Sequence, residues 1–146
     1  MRQAIKLAQQ AVANGDHPFG ALLVREGVVV LTAVNTVHTH HDLTRHAELN
    51  LVSQAAQQFS REFLAECTLV TSTEPCAMCA GAIYWAGISR VVFGCSAAAL
   101  GTIAGGDFLI PCAEIFARGN RPVTVIGPML EEEGTAVHQQ YWPRLR

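Results

Sequence analysis

Charged residues are scarce in this chain of 146 residues: Asp, Glu, Lys and Arg make up 15%, and the formal net charge is −2. A protein that holds a long nucleic acid usually presents a concentrated basic surface to the phosphates. The sequence has no such excess of positive charge. Its composition therefore favours a small substrate and does not favour a nucleic acid.

Long apolar runs are also missing. No stretch of about 18 apolar residues is available to cross a bilayer, and the first residues lack the cationic and apolar segments of a secretory signal. We therefore expect a cytoplasmic protein without membrane association. Half of the residues are hydrophobic, which suffices for one compact core, so we expect a single domain over residues 1–146.

The five cysteines are an odd number in a chain without a secretory signal, which favours thiols or metal ligands over disulfides. Cys67, Cys95 and Cys112 lie among apolar neighbours and are predicted to pack as small hydrophobic side chains. Cys76 and Cys79 are three positions apart. On the first turn of a helix this spacing lets both side chains hold one metal.

Periodicity and terminal signals predict alternating helices and strands of an α/β protein. The predicted helices are Met1–Ala13, His46–Phe59, Pro75–Tyr84, Phe108–Ala117 and Glu131–Trp142. The predicted strands are Phe19–Val24, Val28–Val34, Thr68–Ser72, Arg90–Phe93 and Val123–Ile126, the first two forming a hairpin and the last two running parallel. Thr44 is the expected N-cap of the second helix, Pro75 stands near the first position of the third, and the Gly-rich segment 97–106 is expected to be a loop.

A CxxC pair alone would suit a redox pair or half of a structural zinc site. Upstream, however, His46-Ala47-Glu48 supplies an HxE motif, and HxE followed by PCxxC is the signature of zinc deaminases. One His and two Cys leave the fourth position of a tetrahedral zinc free, as in a catalytic site. We therefore predict that His46, Cys76 and Cys79 bind Zn²⁺.

Glu48 is predicted to be the catalytic proton carrier. Zinc lowers the pKa of a bound water to about 7, and Glu48 would take a proton from that water and deliver it to the substrate. One difficulty concerns geometry, because residues two apart on an ideal helix point about 200° from each other. His46 and Glu48 can therefore share a target only at the very start of the helix.

Further motifs carry a family resemblance: Pro18-Phe19-Gly20-Ala21, Asn35, the segment 81–85 (Gly-Ala-Ile-Tyr-Trp) and the segment 90–94 (Arg-Val-Val-Phe-Gly). With the two zinc motifs they make the chain resemble the cytidine deaminase-like superfamily, particularly the branch of bacterial guanine deaminases, fungal-type cytosine deaminases and tRNA adenosine deaminases. The resemblance implies a three-layer α/β/α fold with a five-stranded mixed sheet, zinc at the N-terminal ends of two helices, and a homodimer.

The resemblance also implies substrate contacts, which we assign to Asn35, Phe19, Ala47, Asp107 and Trp142. Asn35 would hydrogen-bond the substrate, although a turn would also use an Asn there. Asp107 would recognise the base or cap a helix. Trp142, with Tyr141, would close over the site as an aromatic lid or pack in the core.

Two features depart from the simplest assignment. Arg45 stands where the family usually has Ala, and its cation would meet either an acidic group of the substrate or an acid on the protein surface. Three histidines precede it, His38, His40 and His41, and they would form either a second metal site or an ordinary polar loop.

The leading functional hypothesis is deamination of guanine to xanthine and ammonia with water as co-substrate, because Pro18-Phe19-Gly20 and Ala82-Ile83-Tyr84-Trp85 are more similar to guanine deaminases than to tRNA enzymes. Cytosine, a nucleoside or a related aminated heterocycle are the nearest alternatives. A tRNA adenosine deaminase is a third, and a zinc-stabilised binding protein without activity is a fourth.

Overall fold

The computed structural model describes residues 1–142 and contains one five-stranded mixed sheet. Its strands are β1 (Gly20–Arg25), β2 (Val28–Val34), β3 (Thr68–Thr73), β4 (Arg90–Cys95) and β5 (Thr124–Ile126). Their spatial order is β2-β1-β3-β4-β5; β1 is antiparallel to β2 and β3, whereas β3, β4 and β5 are parallel. The predicted mixed sheet and the parallel pairing of the last two strands are confirmed.

The β1–β2 hairpin turns on Glu26 and Gly27, whose φ angles are 51° and 76°. Positive φ at both central residues gives a turn whose twist matches that of the flanking strands. At the open end of the hairpin, the Asn35 N–H donates to the Phe19 carbonyl at 3.0 Å. The hairpin therefore brings Phe19 and Asn35, two predicted site residues, next to each other.

Helices cover both faces of the sheet. Within residues 1–142 they are α1 (Arg2–Ala13), α2 (Ala47–Gln58), α3 (Arg61–Ala65), α4 (Ala77–Ala86), α5 (Ala97–Ala104), α6 (Cys112–Phe116) and α7 (Glu131–Tyr141). Helices α2, α4 and α6 share the larger core cluster on one face, and α1 and α7 pack on the other. This arrangement confirms the three-layer fold. No helix in this part of the chain has both the length and the apolar character to cross a bilayer.

Alternation along the central strands builds the two cores. Leu23 of β1 lies in the cluster under α2 and α4, whereas its neighbour Leu22 lies in the cluster under α1. The same alternation separates Val91 from Val92 on β4. Successive side chains of a strand point to opposite faces, so a central strand covered on both faces is buried at nearly every position, as β3 and β4 are.

The prediction of a loop over residues 97–106 was wrong, because α5 covers most of that segment. The Ser96 hydroxyl caps this helix by accepting a hydrogen bond from the Ala99 N–H at 3.2 Å, and the alanines that follow have high helix propensity. None of the residues of α5 is buried. Its sequence, Ala-Ala-Ala-Leu-Gly-Thr-Ile-Ala, is also apolar at nearly every position, so it lacks the alternation of apolar and polar residues on which a sequence-based assignment depends.

Two further elements differ from the prediction. The helix predicted over 108–117 is confined to α6, because Pro111 is its N-cap and the residue before a proline disfavours the helical conformation. The five-residue helix α3 was not predicted, and it is stabilised at its start by the Ser60 hydroxyl, which accepts from the Phe63 N–H at 3.2 Å.

The three cysteines predicted to pack as hydrophobic side chains are all buried: Cys67, Cys95 and Cys112.

Candidate active site

The HxE motif lies at the start of α2. His46 is the N-cap residue, with an extended backbone (φ −65°, ψ 152°), and Glu48 is in the first turn. Because His46 lies outside the helical repeat, the two side chains need not point 200° apart as they would on an ideal helix. The prediction of Thr44 as N-cap was wrong, since its hydroxyl instead donates to Asp42 Oδ1 at 2.6 Å.

The PCxxC motif lies where β3 ends and α4 begins. Cys76 is the N-cap of α4, with an extended backbone (φ −67°, ψ 172°), and Cys79 follows in the first turn. Pro75 immediately precedes this cap, so it lies near the start of the helix as predicted, although α4 itself begins at Ala77. Both zinc motifs therefore have the same construction, with one ligand on the cap residue of a helix.

His46, Cys76 and Cys79 form a cluster whose ligand atoms all lie within 4.8 Å of one another. The distance from His46 Nδ1 to Cys76 Sγ is 3.6 Å. Tetrahedral zinc with ordinary Zn–N and Zn–S bonds separates such a pair by about 3.6 Å, so the donor set fits this metal. In residues 1–142 no other group of three such side chains meets the same criterion, and the histidines of the 38–41 loop form no second site there.

The three side chains of this cluster shift one another's pKa values. A hydrogen bond from Cys79, with His46 close by, lowers the pKa of Cys76 to about 4. The contact with Cys76, together with burial, raises the pKa of Cys79, and the hydrogen bond with Cys76 raises the pKa of His46. A divalent cation competes with these protons because it binds thiolates and neutral imidazole.

Glu48 lies beside this cluster and is 4% exposed. Its Oε1 atom accepts a hydrogen bond from the Thr71 hydroxyl at 3.0 Å. Burial raises the pKa of the Glu48 carboxyl above its ordinary value, which suits a group that must take up and release a proton near neutral pH. Thr71 was not predicted as a site residue, although a hydroxyl in the middle of a buried strand needs a partner.

Removing the Thr71 hydroxyl tests whether it orients Glu48. We expect Thr71→Val, which keeps the side-chain shape, to lower kcat roughly tenfold because a hydrogen bond to a charged group is lost. KM and zinc content should not change. Thr71→Ser is the matched control, since it keeps the hydroxyl. Steady-state kinetics and metal analysis on both variants measure the effect, and an unaltered kcat in Thr71→Val would contradict it.

Asn35 is fully buried, and one of the two polar groups of its side-chain amide has a hydrogen-bond partner. Its Oδ1 atom accepts from the Val37 N–H at 3.1 Å, whereas its Nδ2 group has no hydrogen-bond partner in the described part of the chain. A buried donor without a partner costs about 1–3 kcal/mol. The Oδ1 contact fixes the orientation of the amide, so Nδ2 remains free to donate to a bound molecule.

Aromatic rings stand beside the metal ligands. The Phe19 ring is parallel to His46, with 6.4 Å between centroids and 6° between planes. The ring centroid of Trp142 lies 6.4 Å from that of Phe19 and 5.3 Å from that of His17. We call Phe19, His17 and Trp142 the aromatic wall. Of the two C-terminal aromatic residues, Trp142 contacts both other members of this wall, whereas Tyr141 contacts His17, at 6.0 Å between ring centroids.

The remaining predicted site residues have less specific surroundings. Ala47 is fully buried in the core cluster of α2. Asp107 is exposed between α5 and α6, and it does not cap a helix, because the N-cap of α6 is Pro111. Arg45 pairs through Nε with Asp42 Oδ2 at 3.1 Å, so in this structure its cation meets an acid on the protein surface.

Glu74, the residue before Pro75, binds the backbone of two neighbouring helices, a role that was not predicted. One carboxylate oxygen accepts from the Ala97 N–H at 2.8 Å and the other from the Cys112 N–H at 2.9 Å. These donors belong to the first residues of α5 and α6, whose N–H groups have no partner within the helix. Glu74 thereby links both helices to the segment that carries Cys76, a predicted zinc ligand.

Comparison with known proteins agrees with this geometry. Residues 1–95 match the family model of the cytidine and deoxycytidylate deaminase zinc-binding region. The chain is 39% identical over 147 residues to a probable cytosine deaminase of Schizosaccharomyces pombe, covering 97% of this chain and 90% of the relative. It is 32% identical over 146 residues to the tRNA-specific adenosine deaminase of Bacillus subtilis, covering 100% of this chain and 88% of the relative.

The fold is similar to that of a guanine deaminase from Nitrosomonas europaea, with a TM-score of 0.82 and 25% identity, covering 97% of this chain and 82% of that one. All three relatives are named as deaminases, but the substrates in their names differ. The chain belongs to the zinc-dependent cytidine and deoxycytidylate deaminase family, whose members are hydrolytic enzymes that act on nucleobases and nucleosides.

Proposed function

We propose that this chain, as one deaminase domain over residues 1–146, removes the exocyclic amino group of a free purine base. Guanine is the first candidate, with xanthine and ammonia as products. The proposal rests on the Pro18-Phe19-Gly20 segment, which is more similar to guanine deaminases than to tRNA enzymes, and on the fold likeness to a guanine deaminase.

The main observation in favour of a ring-shaped substrate is the Asn35 amide, which has no hydrogen-bond partner in the described residues. Its Nδ2 group is buried without an acceptor in the described residues, and a ring carbonyl or ring nitrogen would supply one. Phe19 stands parallel to His46 beside it and offers an apolar surface to a planar base. A buried donor next to an aromatic ring suits a small heterocycle better than an aliphatic amine.

The reaction divides between the metal ligands and Glu48. His46, Cys76 and Cys79 would hold zinc, which, when bound, lowers the pKa of a coordinated water to about 7. Glu48 accepts the proton of the attacking water at a carboxylate oxygen and delivers it to the ring nitrogen. It then carries the second proton to the amine, which leaves as ammonia while the ring carbon becomes a carbonyl.

Raising the pKa of Glu48 by burial serves this transfer. A carboxylate with an ordinary pKa would be a weak base near pH 7, because proton uptake is most efficient when the pKa lies close to the working pH. Burial raises the pKa of Glu48, and the Thr71 hydroxyl holds one carboxylate oxygen. The other oxygen is then available for the proton.

Three further contacts belong to the proposal. Trp142 would close one side of the base-binding site as part of the aromatic wall, Asp107 would recognise the base edge, and Ala47 would contact the substrate from the first turn of α2. Asp107 is exposed between two helices, so its role requires that the substrate or a second subunit reach that segment.

Cytosine is the second candidate because of a specific observation: the relative named a probable cytosine deaminase is 39% identical over nearly the whole of both chains. Cytosine also offers a ring carbonyl to the Asn35 amide. The tRNA alternative has a full-length relative as well, but a net charge of −2 gives little attraction for phosphates.

Ammonia release from a substrate panel tests the proposal. Zinc-loaded protein would be assayed with guanine, cytosine, adenine, their nucleosides and a tRNA, and Glu48→Gln would serve as the blank. We expect guanine to give the highest kcat/KM. A clear preference for cytosine would replace guanine by the second candidate, and turnover of the tRNA that falls steeply with added salt would establish the nucleic-acid substrate.

A homodimer and a cytoplasmic location complete the proposal. The dimer has the support of exposed apolar side chains along α4 and after α5, where Trp85 is 75% and Phe108 is 66% exposed. Large apolar side chains at the surface are typical of protein contacts when they lie close together. The location rests only on the sequence features described above.

A further inference from the structure

His138 is a buried titratable side chain that the deaminase chemistry described above does not use. It lies on α7 and is 1% exposed. The centroid of its ring is 5.2 Å from that of Phe19, so it is in contact with the aromatic wall. A fully buried histidine requires partners for its ring nitrogens.

Both ring nitrogens have such partners. Trp142 Nε1 donates to His138 Nδ1 at 3.2 Å, and His138 Nε2 lies 2.7 Å from the Thr73 hydroxyl. An indole N–H can only donate, so Nδ1 must be the acceptor and the proton of a neutral ring must lie on Nε2. The tautomer is therefore fixed by the tryptophan, and Nε2 donates to Thr73.

The partners of this histidine come from distant parts of the chain. Thr73 is the last residue of β3, shortly before the zinc ligand Cys76, and it is 65 positions from His138. Trp142 lies one helical turn after His138, on the same side of the helix. The imidazole thus connects the strand that leads into the zinc site to the end of α7.

The charge state of the ring favours a fixed bridge. Burial lowers the pKa of His138 to about 4, so the imidazole is neutral near pH 7 and keeps one donor and one acceptor. A protonated ring would carry two donors and would repel the indole N–H. Neutral His138 is therefore matched to one acceptor on β3 and one donor on Trp142.

We propose that His138 is a positioning residue of this deaminase, whose bridge between Thr73 and Trp142 holds the indole against His17 and Phe19 as part of the base-binding site. The proposal rests on the function proposed above, because it assumes that the base binds along the aromatic wall. It predicts that loss of the bridge weakens substrate binding more than it slows the chemical step.

Variants at His138 separate its two contacts. Asn can place an acceptor near the position of Nδ1, whereas Gln reaches only the position of Nε2. We expect His138→Gln to raise KM roughly three- to tenfold, the factor for losing one hydrogen bond, with kcat and zinc content little changed. His138→Asn should stay closer to the unmodified enzyme. An equal effect of both substitutions would show that the contact with Trp142 is not the important one.

Trp142→Phe provides a second route that leaves the buried imidazole in place. It removes the indole N–H while keeping an aromatic ring, so it should raise KM by a similar factor. Because both substitutions break the same bond, the double variant with His138→Gln should be no worse than either single variant. Additive effects in this cycle would overturn the proposal, even if one of the His138 variants folds poorly.

Tryptophan fluorescence tests the bridge independently of activity. The chain has two tryptophans, so Trp85→Phe leaves Trp142 as the only indole. In that background we expect His138→Gln to shift the emission of Trp142 to longer wavelength and His138→Asn to shift it less. Unchanged emission would show that no bridge holds the indole. A shift with unaltered KM would place the bridge outside the base-binding site, whereas absence of turnover in the unmodified enzyme would contradict the proposed function instead.

Discussion

Glu48→Gln is expected to fold and to retain zinc while turnover falls by at least about 100-fold, the usual scale for loss of a general acid-base group. Gln has nearly the shape of Glu and can still accept the hydrogen bond that the Thr71 hydroxyl donates to Oε1. It cannot take up a proton from water at neutral pH. The substitution therefore removes proton transfer and leaves the packing of a buried side chain intact.

Ammonia release with the best substrate of the panel, together with zinc analysis and thermal unfolding, measures this effect. Glu114→Gln is the matched control, because Glu114 is an exposed acid on α6 and the same change of charge there should leave turnover unchanged. Turnover in Glu48→Gln close to that of the unmodified protein would remove Glu48 from the proton-transfer role. It would also leave the open zinc position without a catalytic partner.

Cys79→Ala is expected to lose zinc and with it a large part of the stability of the domain. Cys79 is fully buried and its thiol lies within 4.8 Å of the other two ligand atoms. A metal that binds only the folded state stabilises it by about 4 kcal/mol when its free concentration is about 1,000 times Kd. Because the ligands come from α2 and α4, that energy links two helices across the same core.

Cys67→Ala separates metal loss from packing loss. Cys67 is also buried, 1% exposed, and lies outside the ligand cluster, so this variant loses a similar side chain but should keep its zinc. Thermal unfolding with and without a chelator measures the difference. The chelator should lower Tm in the unmodified protein and in Cys67→Ala and should have no effect in Cys79→Ala. Full zinc occupancy in Cys79→Ala would mean that the ligand set is misassigned.

The zinc chemistry was predictable because its motifs are local. The spacing of Cys76 and Cys79 fits one helical turn, and HxE requires only that His46 precede the helix. Neither motif states that the two segments meet. They do so because β1 and β3 are neighbours in the sheet, which brings α2 and α4 together on one face and places Cys76 Sγ 3.6 Å from His46 Nδ1.

The supporting residues could not be predicted in the same way. Thr71 meets Glu48 across 23 positions, and His138 meets Thr73 across 65. A buried polar side chain such as that of Thr71 needs a partner, but its neighbours along the chain do not identify which distant residue that partner is. The helical character of α5 was missed because its sequence is small and apolar almost throughout and therefore has no apolar repeat at helical spacing.

The family, the fold class and the metal chemistry of this protein were predictable from the sequence alone, because they follow from residue types at short, fixed spacings within single helices and strands. The side chains that surround this chemistry become visible in the folded chain: the Thr71 hydroxyl on Glu48, the Asn35 amide that has no partner among the described residues, and the bridge from His138 to Trp142. These contacts depend on how helices pack against a sheet, and packing joins residues that are far apart along the chain.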